Sequence, residues 1–153
     1  MRIQITAVAI AILASTTFAS AADGPTKDDA VAMVKRAVAA IKADGKEKAY
    51  AEISAPGGPF VNGEVYTVVQ GFDGMTLAHA TNPKLIGKNM IDVQDVDGKY
   101  FAKDMADNGR LHDSFWYDFK FANPATKKIQ VKDMYCESLK ENEATVCAGI
   151  YRP

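Results

Sequence analysis

The chain of 153 residues carries 18 Lys and Arg against 19 Asp and Glu, a formal net charge of −1, with 48% hydrophobic residues and two cysteines. Near-neutral charge, with basic residues scattered among acidic ones, excludes the one-sided basic footprint of a nucleic-acid-binding domain. The length suits one domain built on one core.

The chain opens with Met1-Arg2, continues with an apolar stretch over residues 3–13 interrupted only by Gln4 and Thr6, and reaches Ala19-Ser20-Ala21 ahead of Ala22-Asp23. A positive start, a short apolar run and small residues at a cleavage site make the pattern of a Sec signal peptide. The run is well short of the roughly 20 residues that span a bilayer, which sets this reading above an uncleaved membrane anchor. Residues 1–21 are therefore expected to be removed. The mature domain, residues 22–153, is expected to be periplasmic or secreted, with no direct membrane span.

Thr26, with Asp29 three residues on, forms a capping-box pattern, and Val31, Val34, Val38 and Ile41 then recur at helical spacing up to Gly45. Ala30, Met33, Ala37 and Ala40 widen the apolar stripe while Asp28, Lys35, Arg36 and Lys42 lie opposite, so the helix is predicted to pack along a sheet. A short second helix over residues 46–53 is broken by Ala55-Pro56-Gly57-Gly58-Pro59. Residues 64–72 and 75–80 then read as strands about an Asp73-Gly74 hairpin. A two-residue turn pairs Phe72 with Met75, Gln70 with Leu77 and Val68 with His79. Tyr66, Val68, Gln70, Met75, Leu77 and His79 thereby share one face, and Thr67, Val69, Thr76 and Ala78 the other.

Residues 81–96 contain Pro83, Gly87 and no clean period, and are expected to form a long crossing. A helix capped by Asp97 and stopped by Asn108-Gly109 is predicted over residues 97–107. Strands over 115–121, 127–139 and 144–151 follow, the first two joined by a turn at Asn123-Pro124-Ala125-Thr126. The predicted fold class is α+β, an antiparallel five-stranded sheet with the long N-terminal helix packed along it. If the last hairpin turns between Glu141 and Asn142, Cys136 and Cys147 are cross-strand neighbours. Neither has CxxC or Cys/His ligand spacing, so a disulfide is expected in an oxidising compartment.

Two blocks carry a family resemblance. Ala78-His79-Ala80-Thr81-Asn82-Pro83-Lys84-Leu85-Ile86-Gly87-Lys88-Asn89, followed by Asp95-Val96-Asp97-Gly98-Lys99-Tyr100-Phe101, resembles the AHxxNPxLxGKN…DxDGKxF pattern of single Cache domains. Trp116-Tyr117-Asp118-Phe119-Lys120-Phe121, Asn123-Pro124, Thr126, Lys132 and Tyr135, ending on Gly149-Ile150-Tyr151, resembles the same family's strand–turn–strand signature. Phe119 and Phe121 stand where Tyr and Trp are common, removing a phenolic and an indole donor. The resemblance implies an extracytoplasmic PAS-like fold whose sheet and covering loops enclose a pocket for small organic molecules, often short carboxylates or amino acids. Relatives are attached to chemoreceptors, kinases or cyclases. Here the last predicted strand ends two residues before Pro153 with no membrane-spanning output segment, so a stand-alone module is expected.

Through its family position Lys132 is a candidate carboxylate-binding cation, against the ordinary fate of a strand lysine at the surface. Tyr135, three residues on, points to the opposite face of a straight strand, so the two share one pocket only across a bulge. Tyr66, Gln70 and His79 offer polar tips among apolar neighbours, the chemistry of a small-molecule site. His79 also reads as a hydrogen-bonded strand-end histidine. Trp116 and Asp118 share one face of their strand and are candidates for the pocket wall, with Asp118 alternatively an anchor for the long crossing. Phe115, Tyr117, Phe119 and Phe121 share the other face and read as core. The candidate ligand-binding set is thus Tyr66, Gln70, His79, Trp116, Asp118, Lys132 and Tyr135.

Asp92, Asp95 and Asp97-Gly98 lack the alternation and closing Glu of an EF-hand, so no metal is expected. No cofactor motif and no nucleophile–base motif such as GxSxG appears, so no catalytic residue is assigned. The expected function is binding of a small carboxylate, amino acid or similar metabolite, with signalling through a separate membrane-bound receptor or kinase partner. Two rivals stand beside it: a small envelope enzyme using His79 and Asp118 as acid and base, and a structural envelope subunit whose pocket is filled by Phe119 and Phe121. A buried His–Asp hydrogen bond marks the enzyme. One cation among neutral donors marks the sensor.

Overall fold

A computed structural model describes residues 24–153, and the expected signal peptide lies outside the described residues. Helix α1 (Lys27–Asp44) starts on the capping box. Thr26 Oγ1 accepts the Asp29 amide at 3.3 Å and the Asp29 carboxylate accepts the Thr26 amide at 2.7 Å, so two otherwise orphaned donors are satisfied. Gly45, at φ 84°, ends α1, and α2 (Lys46–Ile53) follows at once. The buried stripe of α1 is Ala30, Met33, Val34, Ala37, Val38 and Ile41.

The strands are β1 (Val61–Asn62), β2 (Val65–Gly71), β3 (Thr76–His79), β4 (Ser114–Ala122), β5 (Ile129–Leu139) and β6 (Ala144–Tyr151). They pair antiparallel in the order β1-β2-β6-β5-β4, with β3 also on β2. The expected five strands are present. The sixth, β1, is a two-residue piece folded back on Val65 and Tyr66 through Gly63 at φ 59°. One sheet face, carrying Val65, Val69, Leu139, Val146 and Ala148, packs under α1 and α2. The other, carrying Phe119, Met134 and the cysteines, packs under α3 (Phe101–Leu111).

Cys136 and Cys147 are paired in register and bridged, with Cα atoms 4.1 Å apart. That separation belongs to a non-hydrogen-bonded antiparallel pair, where side chains are closest. The connection is a four-residue loop in which Glu143 takes φ 49°, and it keeps the predicted register.

Two expectations are corrected. The β2–β3 connection is a three-residue turn, with the Gly71 amide donating to the Met75 carbonyl at 2.8 Å and Gly74 at φ 86°. Val68 still opposes His79, but a register shift between Val69 and Gln70 sets Gln70 against Thr76, not Leu77. Helix α3 also starts and ends later than predicted. Gly98 at φ 83° cannot enter a helix, and Asp97 is no N-cap, because the Asp95 carboxylate accepts the amides of Asp97, Lys99 and Lys120 at 2.8–3.0 Å. Gly109 lies inside α3 because a Cβ there would meet Thr145 Cγ2 at 2.5 Å and Phe72 Cε1 at 2.9 Å. Its small size serves close helix–sheet approach, not helix termination.

Candidate functional site

The crossing from β3 to α3 runs back beside β3. The Thr76 amide donates to the Lys88 carbonyl and the Gly87 amide to the Thr76 carbonyl, each at 2.9 Å, which lays Leu85 and Met90 over the sheet. Beneath them is a cavity of about 40 Å³. Tyr66, Val68 and Gln70 of β2, Thr76 and His79 of β3, and Lys132 and Met134 of β5 form its floor. Phe119 and Phe121 of β4 and Phe101 and Met105 of α3 close the apolar side. Phe101 stacks on Phe119 at 4.7 Å between centroids and meets Phe121 edge-on at 5.9 Å.

Lys132 is the largest fully buried side chain, 1% exposed. Its Nζ lies 3.6 Å over the Tyr66 ring centroid and 5.0 Å from that of Tyr151, and among the described residues no carboxylate pairs with it. Burial alone pushes this amine well below the usual lysine range. The neighbouring Asp133 points to the other face, where Arg152 Nη2 and Nε reach its carboxylate at 2.6 and 3.0 Å.

His79 Nδ1 accepts the amides of Asn82 at 3.0 Å and Thr81 at 3.4 Å. That occupies the Nδ1 lone pair and places the ring hydrogen on Nε2. Burial, then the nearby Lys132, lowers the His79 pKa to about 4, so the ring is neutral at neutral pH. The Tyr151 hydroxyl donates to the Ala122 carbonyl at 3.0 Å and lies 3.0 Å from the Tyr66 hydroxyl, which therefore donates to it. Burial raises both phenols. Gln70 Nε2 donates to the Gly74 carbonyl at 3.3 Å.

Four of the seven candidates therefore converge: Tyr66, Gln70, His79 and Lys132 line one cavity. Trp116, Asp118 and Tyr135 do not. Phe119 opposes Lys132 in the register, whereas Trp116 opposes Tyr135 and Asp118 opposes Asp133, one residue out of phase and so on the opposite sheet face. Register along β5 is continuous, with no bulge to bring Tyr135 round. Trp116 is 40% exposed, 5.3 Å from the Tyr135 ring and capped by Lys27 Nζ at 4.8 Å. Asp118 pairs with Lys99 at 3.0 Å and anchors the crossing. Tyr135 donates to Glu137 at 3.1 Å.

Sequence reasoning left out Thr76, displaced into the cavity by the bulge, and read Phe119 and Phe121 as core where they also form the cavity wall. Tyr151 beside Lys132 was legible: the register that joins the cysteines also opposes Lys132 to Tyr151.

The antiparallel sheet with a long N-terminal helix along one face is similar in fold to a Cache chemosensory domain. The chain belongs to the family Single Cache domain 2, whose model matches residues 4–152. Among solved structures it resembles a methyl-accepting chemotaxis protein from Vibrio parahaemolyticus RIMD 2210633, 24% identical, with TM-score 0.69 over 82% of this chain and 87% of that one. It resembles the periplasmic sensor domain of a chemotaxis protein, 20% identical, TM-score 0.64, over 82% and 90%. A third is a Cache chemosensory domain described for carboxylic acid recognition, 17% identical, TM-score 0.66, over 82% and 88%. These likenesses are ones of fold. No curated protein matches the chain.

Proposed function

We propose that this domain is an extracytoplasmic sensor of a short carboxylate held at Lys132, and that a separate membrane-bound receptor or kinase reads its occupancy. The observation that carries the proposal is a buried lysine, with no carboxylate partner among the described residues, at the wall of an otherwise largely apolar cavity. An anionic ligand supplies the missing partner, and a charge-assisted bond out of water is strong. Size narrows the choice. A water needs about 10–15 Å³ of such space, so the cavity takes on the order of three water-sized groups as it stands, close to formate or acetate, and an acid as long as propionate enters with a shift of the crossing. Among the described residues no Asp or Glu lines it, which disfavours an amino acid, whose ammonium group would lack a counter-charge.

Two features weigh against the enzyme reading: His79 Nδ1 is committed to backbone amides, and Asp118 lies on the far side of the sheet. Against a purely structural subunit, Phe119 and Phe121 wall the cavity without filling it. Extracytoplasmic placement is supported by family membership and by the N-terminal pattern, and among the described residues no helix is long and apolar enough to cross a membrane. A thermal-shift screen of residues 22–153 against short carboxylates, amino acids and amines tests the reading. A carboxylate at 100 times its Kd adds about 2.7 kcal/mol of stability, and Lys132→Met abolishes the shift. A domain that answers to amines alone, or to nothing in the screen, refutes the carboxylate reading.

A further inference from the structure

Among the described residues Lys132 meets no acid from any side. On β2 it faces Tyr66, on β3 His79, on β6 Tyr151, and on β4 Phe119. The elements over the cavity contribute Leu85, Met90, Phe101 and Met105. Glu64, on the Tyr151 side, is bound to Asn123 Nδ2 at 2.7 Å. An unpaired ammonium withdrawn from water is costly, and a buried lysine relieves the cost by losing its proton. A neutral amine, however, cannot form an ion pair with a carboxylate.

We infer that each carboxylate enters this cavity together with one proton, so that occupancy follows the product of carboxylate and proton concentrations, which is the activity of the undissociated acid. The inference rests on the carboxylate reading above. The balance is simple: amine, proton and carboxylate give an ammonium–carboxylate pair, equivalent to moving the acid's O–H proton to Nζ. No other covalent bond changes. The other titratable groups at the site are poor acceptors of that proton. His79 already carries hydrogen on Nε2, and protonating Nδ1 would break its bonds to the Asn82 and Thr81 amides. Tyr66 donates to Tyr151, and Tyr151 to the Ala122 carbonyl. A sensor of this kind responds to a weak acid in its membrane-permeant form, and a fall in pH sharpens the response with no change in total carboxylate.

Calorimetry of propionate binding at about pH 7 and pH 8, each in two buffers of different ionisation enthalpy, reads the proton directly. The expected result is uptake of one proton per propionate and affinity about tenfold weaker per unit rise in pH. In parallel, the 13Cε resonance of Lys132 in the ligand-free domain, assigned by its loss in Lys132→Met, reports a neutral amine at both pH values. Lys132→Arg, a permanent cation, is expected to remove both the proton uptake and the pH dependence of any binding it retains. Propionate bound equally at both pH values without proton uptake, or an ammonium in the ligand-free protein, overturns the inference and leaves the carboxylate sensor standing. No calorimetric response to propionate or to other short carboxylates overturns the carboxylate reading, and this inference with it.

Discussion

Replacing Lys132 by Met separates the cost of burying an amine from everything else in the fold. In the unfolded chain a lysine titrates near 10.4. In the folded domain Lys132 is 1% exposed, and burial holds it well below that value. Between the two values the unfolded state binds one more proton than the folded state, so stability rises with pH. The contribution is complete above the unfolded pKa and is lost as pH falls toward the folded one, at about 1.36 kcal/mol per pH unit. Across the interval between the folded and unfolded values this residue therefore makes the unliganded domain more stable as pH rises. Met keeps the apolar length and cannot titrate, so every other group cancels in the difference between the two proteins. The variant is expected to be the more stable at pH 7, with its advantage shrinking as pH rises to pH 9. Urea unfolding of both proteins, without reductant and with equal m values, measures it. Two stability curves running parallel from pH 7 to pH 9 refute the reasoning, because Lys132 would then keep its proton on folding.

Removing the Cys136–Cys147 bridge with paired Ser substitutions releases a cross-link over 11 residues of separation and is expected to cost about 3 kcal/mol. Alkylation of the folded, non-reduced protein should label no thiol, and stoichiometric labelling contradicts the bridge. Gly109→Ala reverses the usual helix rule. Ala gains about 1 kcal/mol over Gly in an open helix, but here the new methyl meets Thr145 and Phe72, and a loss of about 1–3 kcal/mol is expected in chemical denaturation. Trp116→Ala should leave any carboxylate-induced thermal shift as in wild type, since Trp116 lies across the sheet from the cavity; a lost shift would place the ligand elsewhere.

The elements governed by neighbours in the chain are legible in the sequence alone. The Thr26–Asp29 box and the apolar stripe define α1, the Asn123 turn joins β4 to β5, and a turn near Glu141 sets the register that brings Cys136 to Cys147. Alternation along β4 separates Trp116 and Asp118 from Phe119 and Phe121, and spacing along β5 separates Lys132 from Tyr135. Those separations hold in the fold. Alternation, however, says only that two residues lie on opposite faces. Which face carries the cavity depends on α1 covering one side and the crossing with α3 covering the other, and those are contacts between residues distant in the chain. The same limit explains the ends of α3 and the bulge beside Gln70. Gly109 is a helix-stop signal by composition and a contact surface in the fold, because Thr145 and Phe72 come within reach only after β6 and β2 have paired. Lys132 is buried without a counter-charge for the same reason: its rarity comes from what packs around it, and a lysine in a strand carries no local mark of that environment.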